Sequence, residues 1–234
     1  MNAPFQSEPV DPVTVAYVPH PVVPRPAVPP FPGAPGMPYP APYPMPPHGG
    51  AAGVPVVGVE PLGLSLPCGE GFTLRGQLRP YADLVEYIFP EVDGALPLFR
   101  DRDALLRQAA ALPGDPLYAA PTWPMAAITD DRRFDLAFVP DHLADGPDAW
   151  FPAYLTRCRD LCAQLALFFE LEDVAALLEK GSLLDTLDDT LRHSGGAVLG
   201  WRYRRQLARL DTAEVVRQWQ TIIDAIDRLA RFAD

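Results

Sequence analysis

Proline constrains this chain more than any other residue. Of its 30 prolines, 20 fall in residues 1–67 of 234. Proline lacks an amide N–H and pushes the residue before it out of α geometry, which excludes helices and central strands from residues 19–47. The run FPGAPGMPYPAPYPMPPHGG (31–50) also contains no Asp, Glu, Lys or Arg. Residues 1–53 are therefore expected to form a disordered, partly stiff tail of polyproline-II character, rising ~3.1 Å per residue. Such a segment has little ordering entropy left to lose on binding. Tyr39 and Tyr43 are its candidate contacts for a partner's aromatic groove. Pro26 and Pro29 make a PxxP, but no arginine stands where that motif usually has one.

The next stretch, VPVVGVEPLGLSL (54–66), changes character. Val54, Val56, Leu62, Leu64 and Leu66 share parity, the period of a strand with one apolar face. Pro55, Gly58, Pro61 and Gly63 argue against a long central strand. Residues 54–67 are thus expected to be an extended apolar docking segment for another protein, or an arm packed on the chain's own domain.

Residues 68–234 carry only ten prolines and are long enough to bury a core without disulfides or metal. From residue 78 on, the apolar spacing reads as helical. QLRPYADLVEYIF places Leu78, Tyr81, Leu84, Val85 and Ile88 on one stripe, and DRDALLRQAAAL opens with acids suited to a helix N-terminus. Residues 113–147 read as a long connector with a short helix near 133–139. In the segment that follows, Leu161, Leu165, Phe168 and Phe169 share a face that Glu172 would break, which predicts a kink near Glu170–Leu171. Ser182 and Asp185 resemble a capping box, as do Asp211 and Glu214. The last helix carries Val215, Trp219, Ile222, Ile226 and Leu229 at alternating spacings of four and three. These patterns predict an all-α fold, a bundle-like domain over 68–234. A homodimer seam along the last helix is the alternative use of that stripe.

Composition narrows the function classes. A net charge of −11 argues against nucleic acid as a partner, because phosphate binding is driven by counterion release onto basic surface. No run reaches the ~18 apolar residues that a membrane-inserted helix needs, and the first residues lack a signal-peptide pattern. Three cysteines form no disulfide framework, so a cytoplasmic location is expected.

Four clusters bear on chemistry. Glu170 and Asp173 sit one turn apart before Gly181, and Asp185 and Asp188 repeat that spacing after it. On two antiparallel helices they would form an oxygen cage for Mg²⁺ or Mn²⁺. Over about 20 residues this resembles the all-α NTP pyrophosphohydrolases, whose motif pairs an ExxE with an ExxD on successive helices. It departs from them in having Asp at three of the four positions. The resemblance implies a divalent-metal-dependent phosphohydrolase, with those four acids as metal ligands and Arg202, Arg204 or Arg205 as phosphate partners. Read as solvated helix faces, the same acids need no metal. Cys158 and Cys162, four apart, make half a metal site or two small core residues. The glycines of SGGAVLGWRYRR precede a basic helix start without the GxxxxGK[ST] fingerprint of a phosphate loop. No serine sits in a GxSxG elbow.

The reading that results is a non-enzymatic interaction or adaptor protein without a cofactor, tethered to another protein or assembly through its tail and residues 54–66. The alternative is the metal-dependent phosphohydrolase. A third option is a nucleic-acid or membrane-surface binder acting through the arginines of 202–209.

Overall fold

Leu62, Leu64 and Leu66 explain why the chain folds around a sheet. All three point to one face of strand β1 (Val56–Leu66) and lie in the protein's main apolar core. The structure, a computed structural model, describes residues 56–81, 84–111, 117, 129, 132–194 and 200–233. Tyr39, Tyr43, Val54 and the rest of the Pro-rich segment lie outside the described residues.

Strand β1 turns at Pro67–Cys68 into β2 (Gly69–Tyr81), with antiparallel register from Leu66↔Gly69 through Leu62↔Thr73 and a bulge between Val56 and Gly58. The far half of β2 pairs with β3 (Leu84–Ile88), and Phe72 in its near half pairs with Phe99 of β4 (Leu96–Phe99). Two short strands complete the sheet in parallel fashion, β5 (Arg133–Asp135) on β1 and β6 (Ala230–Ala233) on β4. The order is β5-β1-β2-β4-β6, with β3 also on β2. Pro61 is tolerated in β1 because β5 covers only Gly63–Ser65, leaving no second neighbour at Pro61 among the described strands.

Helix α1 (Arg102–Ala111) covers one face of the sheet, where Ala104 and Leu105 meet Val59, Leu74 and Phe99. The opposite face carries α2 (Val139–Ala144), α3 (Pro152–Phe168), α4 (Glu172–Leu178), α5 (Leu183–Ser194), α6 (Gly200–Leu207) and α7 (Thr212–Leu229). The fold is therefore mixed α/β, and the expected all-α bundle is corrected. Its helices are present, but they pack on a six-stranded sheet. The error is instructive at QLRPYADLVEYIF, which forms the end of β2 and all of β3. The apparent helical stripe does not share one buried face: Leu78 is buried and Ile88 packs on the core, whereas Tyr81 is 75% exposed and Leu84 45%. Two strand periods with a register irregularity between Leu78 and Tyr81 imitate a period of 3.6.

Further along the chain the helical signals correspond to structure. Helix α3 ends at Phe168, Glu170 takes a left-handed φ of 52°, and α4 starts at Glu172, which places the break where Glu172 would have entered the apolar face. Asp185 N–H donates to Ser182 Oγ at 3.1 Å, and Asp185 Oδ2 accepts from Gly181 N–H at 2.8 Å, a reciprocal cap. Asp211 Oδ1 caps α7 by accepting from Glu214 N–H. Val215, Trp219, Ile222 and Ile226 of α7 are all buried in the chain's own core. Each such burial contributes roughly 1.5–3 kcal/mol. Polar side chains also tie the layers together. Arg75 on β2 donates to Glu60 on β1 and to Gln164 on α3, and it lies over the Tyr87 ring of β3. No described helix is long and apolar enough to cross a membrane.

Candidate functional site

Strand β6 begins where α7 ends. The helix closes with the Ala230 N–H on Ile226 O, and Ala230 already has an extended conformation. Ala230–Ala233 pair with β4, and no other described strand pairs with β6, which makes it an edge strand of the described sheet. At this edge the structure has an open groove of about 1020 Å³.

Three structural devices build its walls. The first is the turn before β4, where Val92 and Ala95 bridge across Asp93 (φ 52°) and Gly94 (φ 75°). Consecutive left-handed residues are what a two-residue type I′ turn requires, and Asp-Gly is a preferred sequence for it. The second is the α3–α4 break, which projects Glu170, Leu171, Glu172 and Asp173. The third is the end of α7 with β6, which supplies Arg228, Leu229, Arg231 and Phe232. Arg231 Nη1 donates to the backbone oxygens of Arg228 and Ala230, so this side chain is held along the edge.

The lining is chemically mixed. Leu171, Val174, Leu229 and Phe232 give it an apolar floor, and Val92 stands 47% exposed at the rim. Asp93, Glu170, Glu172 and Asp173 outnumber Arg228 and Arg231, so the groove is net acidic. Among the described residues lining it there is no histidine, cysteine, serine, threonine or lysine.

The residues singled out from the sequence are dispersed around the molecule. Leu62, Leu64 and Leu66 are interior residues of β1, while Val56 is half-buried at its start. Residues 56–66 thus act as a strand of the chain's own sheet, and their apolar face meets its own core. Of the four candidate metal ligands, Glu170 and Asp173 line the groove, whereas Asp185 and Asp188 belong to an arginine network on α3 and α5. Arg192 donates Nε to Asp188 Oδ2 at 2.8 Å and Nη2 to both Asp160 oxygens at 2.7 and 2.9 Å. Arg159 sits among Asp160, Asp185 and Asp188 at 3.6–3.9 Å. Guanidinium charge thus stands beside this acid pair, and no group of three or more ligating side chains is positioned for a metal ion among the described residues. Arg202, Arg204 and Arg205 are exposed on α6, away from the groove lining.

The cysteines divide by environment. Cys158 and Cys162 are buried, and burial pushes the Cys158 thiol up to about 12 and Cys162 well above its usual value. Both are core residues held in the thiol form. Exposed Cys68 is also raised, to about 11, first by desolvation and then by Asp227, whose carboxylate accepts the Cys68 backbone N–H at 2.8 Å. A thiol at such values is a poor nucleophile at neutral pH.

Sequence reasoning missed most of the groove. The Asp93–Gly94 pair was the available signal, a strong marker of a tight β-turn. The β6 wall had no comparable mark, because four residues after a long helix carry too little period to reveal a strand.

These observations define a mixed α/β domain with helices on both faces of its sheet and an open groove at the outer described strand. The chain belongs to the SatS C-terminal domain family, whose family model matches residues 59–227. Among solved structures, the crystal structure of the SatS C-terminal domain in complex with bromine is similar in fold, with a TM-score of 0.58. The two share 22% identity over 75% of this chain and 94% of that one. No curated protein matches the chain in sequence.

Proposed function

We propose that this is a non-catalytic interaction protein that holds an extended segment of a partner polypeptide in the groove along β6. The observation that carries this reading is the outer edge of β6, unpaired among the described strands, opening onto about 1020 Å³ of space with an apolar floor and a charged rim. An extended peptide laid there would gain main-chain hydrogen bonds from the strand edge and side-chain contacts from alternate residues. The volume is at the upper end of small-ligand pockets, and the lining offers no nucleophile with a partnered base. With four carboxylates against two guanidinium groups, the preferred segment is apolar with one or more basic residues. The Pro-rich tail serves in this reading as a tether that raises the local concentration of the domain near its partner.

The test is fluorescence anisotropy of labelled extended peptides, apolar with a basic residue, against the full chain and two variants. Val92→Arg places bulk and positive charge on the rim, and Arg79→Glu alters an exposed position on β2 outside the groove lining. Binding lost in the first variant and retained in the second supports the proposal. Equal binding by both, or no binding to the native chain, overturns it.

A further inference from the structure

A second surface is independent of the groove. Helix α6 turns Leu207 into the core, and Tyr203 stacks on His193 of α5 with ring centroids 5.2 Å apart. Its other side is exposed and carries Trp201, Arg202, Arg204 and Arg205, followed by Arg209 on the closing turn. Trp201 is 60% exposed, whereas Trp150 and Trp219 are buried. Among the described residues none of these four arginines has an acidic partner, in contrast to Arg159 and Arg192, which lie among three carboxylates on α3 and α5. Arg202, Arg205 and Arg209 recur at i, i+3 and i+7, one stripe along the helix and its last turn.

From this arrangement we infer that the exposed face of α6 is a docking surface for a short acidic segment of another protein, with Trp201 receiving an apolar side chain beside its carboxylates. Charge complementarity selects the occupant. Setting aside these four arginines, the rest of the chain carries −15 against the whole chain's −11. Asp189 lies 3.4 Å from the His193 ring on which Tyr203 stacks, and Asp211 follows Arg209 by two residues, so carboxylates border the patch. A nucleic acid or an anionic bilayer is an extended polyanion and would bring its charge against that rim as well as the patch. A segment with carboxylates at i, i+3 and i+7 touches the arginines alone, in the planar geometry that guanidinium groups match. Trp and Arg are also the side chains most often found to anchor protein interfaces.

The experiment uses the full chain and a synthetic helical peptide bearing glutamates at i, i+3 and i+7 with a leucine alongside, read by tryptophan emission. We expect a saturable blue shift that disappears in Trp201→Phe. We also expect affinity that falls as salt rises and weakens about tenfold or more in Arg202→Glu/Arg205→Glu/Arg209→Glu. Circular dichroism monitors folding of that variant, and the milder Arg205→Gln, which removes one charge from the stripe, gives a smaller loss in the same direction. Absence of binding at low salt, or unchanged affinity in both arginine variants, overturns the proposal. So does tighter binding, at equal salt, to a single-stranded oligonucleotide or to phosphatidylglycerol vesicles. Because the groove variant Val92→Arg leaves this face untouched, failure at α6 and failure at the groove are separable.

Discussion

Strands β1 and β6 both bring apolar side chains to the sheet but occupy different places in it. β1 lies within the sheet, and its leucines meet helices on one side while Val59 meets the α1 layer on the other. Among the described strands β6 ends the sheet order, pairs with β4 and borders open space. Apolar parity identifies a strand with a face to bury, but whether that face is met by the chain itself depends on where the topology places the strand. Here the early segment, which looks exportable to a partner, is internal, and four residues after the last helix supply the edge.

The largest effects should come from the interior half of this contrast. Trp219→Ala removes a side chain 1% exposed and should cost about 3–5 kcal/mol in urea unfolding. A cost below about 1 kcal/mol would show that the helical layer is not packed as described. Asp188→Ala leaves Arg192 with Asp160 alone and Arg159 with one carboxylate fewer. About 2 kcal/mol is expected, less than for a fully buried pair because Arg192 is 42% exposed. If Asp185 and Asp188 instead held a metal, added Mg²⁺ would raise the native chain's melting temperature and leave the variant's unchanged. The account expects no such shift.

Gly71→Ala sharpens the comparison where the strands meet. A Cβ there would lie 2.9 Å from Leu98 Cβ and 3.2 Å from the Phe99 carbonyl oxygen, and neither position is free to move far. Destabilisation of about 1–3 kcal/mol is expected in the same unfolding measurement. The smallest stability effect belongs to the edge. Val92→Arg should change stability by no more than about 0.5 kcal/mol while abolishing peptide binding, the reverse of the interior variants.

How much of this was legible beforehand follows from local physics. The break at Glu170, the Ser182–Asp185 cap and the α7 stripe are set by residues within a turn or two of one another, so the sequence displays them directly. The sheet depends in part on distant partners. Gly63 pairs with Arg133, 70 positions on, and Leu96 with Ala230, and no local window around either residue contains that information. The candidate acids illustrate the same limit from the other side. Asp185 and Asp188 have ligand-like spacing, and only the packing of α3 against α5 reveals that Arg159 and Arg192 stand beside them.

If the β6 edge receives a polypeptide while β1 belongs to the chain's own core, amide hydrogen exchange on the full chain, with and without a saturating groove peptide, will separate the two strands. Exchange should slow at residues 230–233 and 92–95 and stay unchanged at 62–66, already slow in the free protein. Protection confined to 56–66, or none at 230–233 with peptide bound, would contradict it.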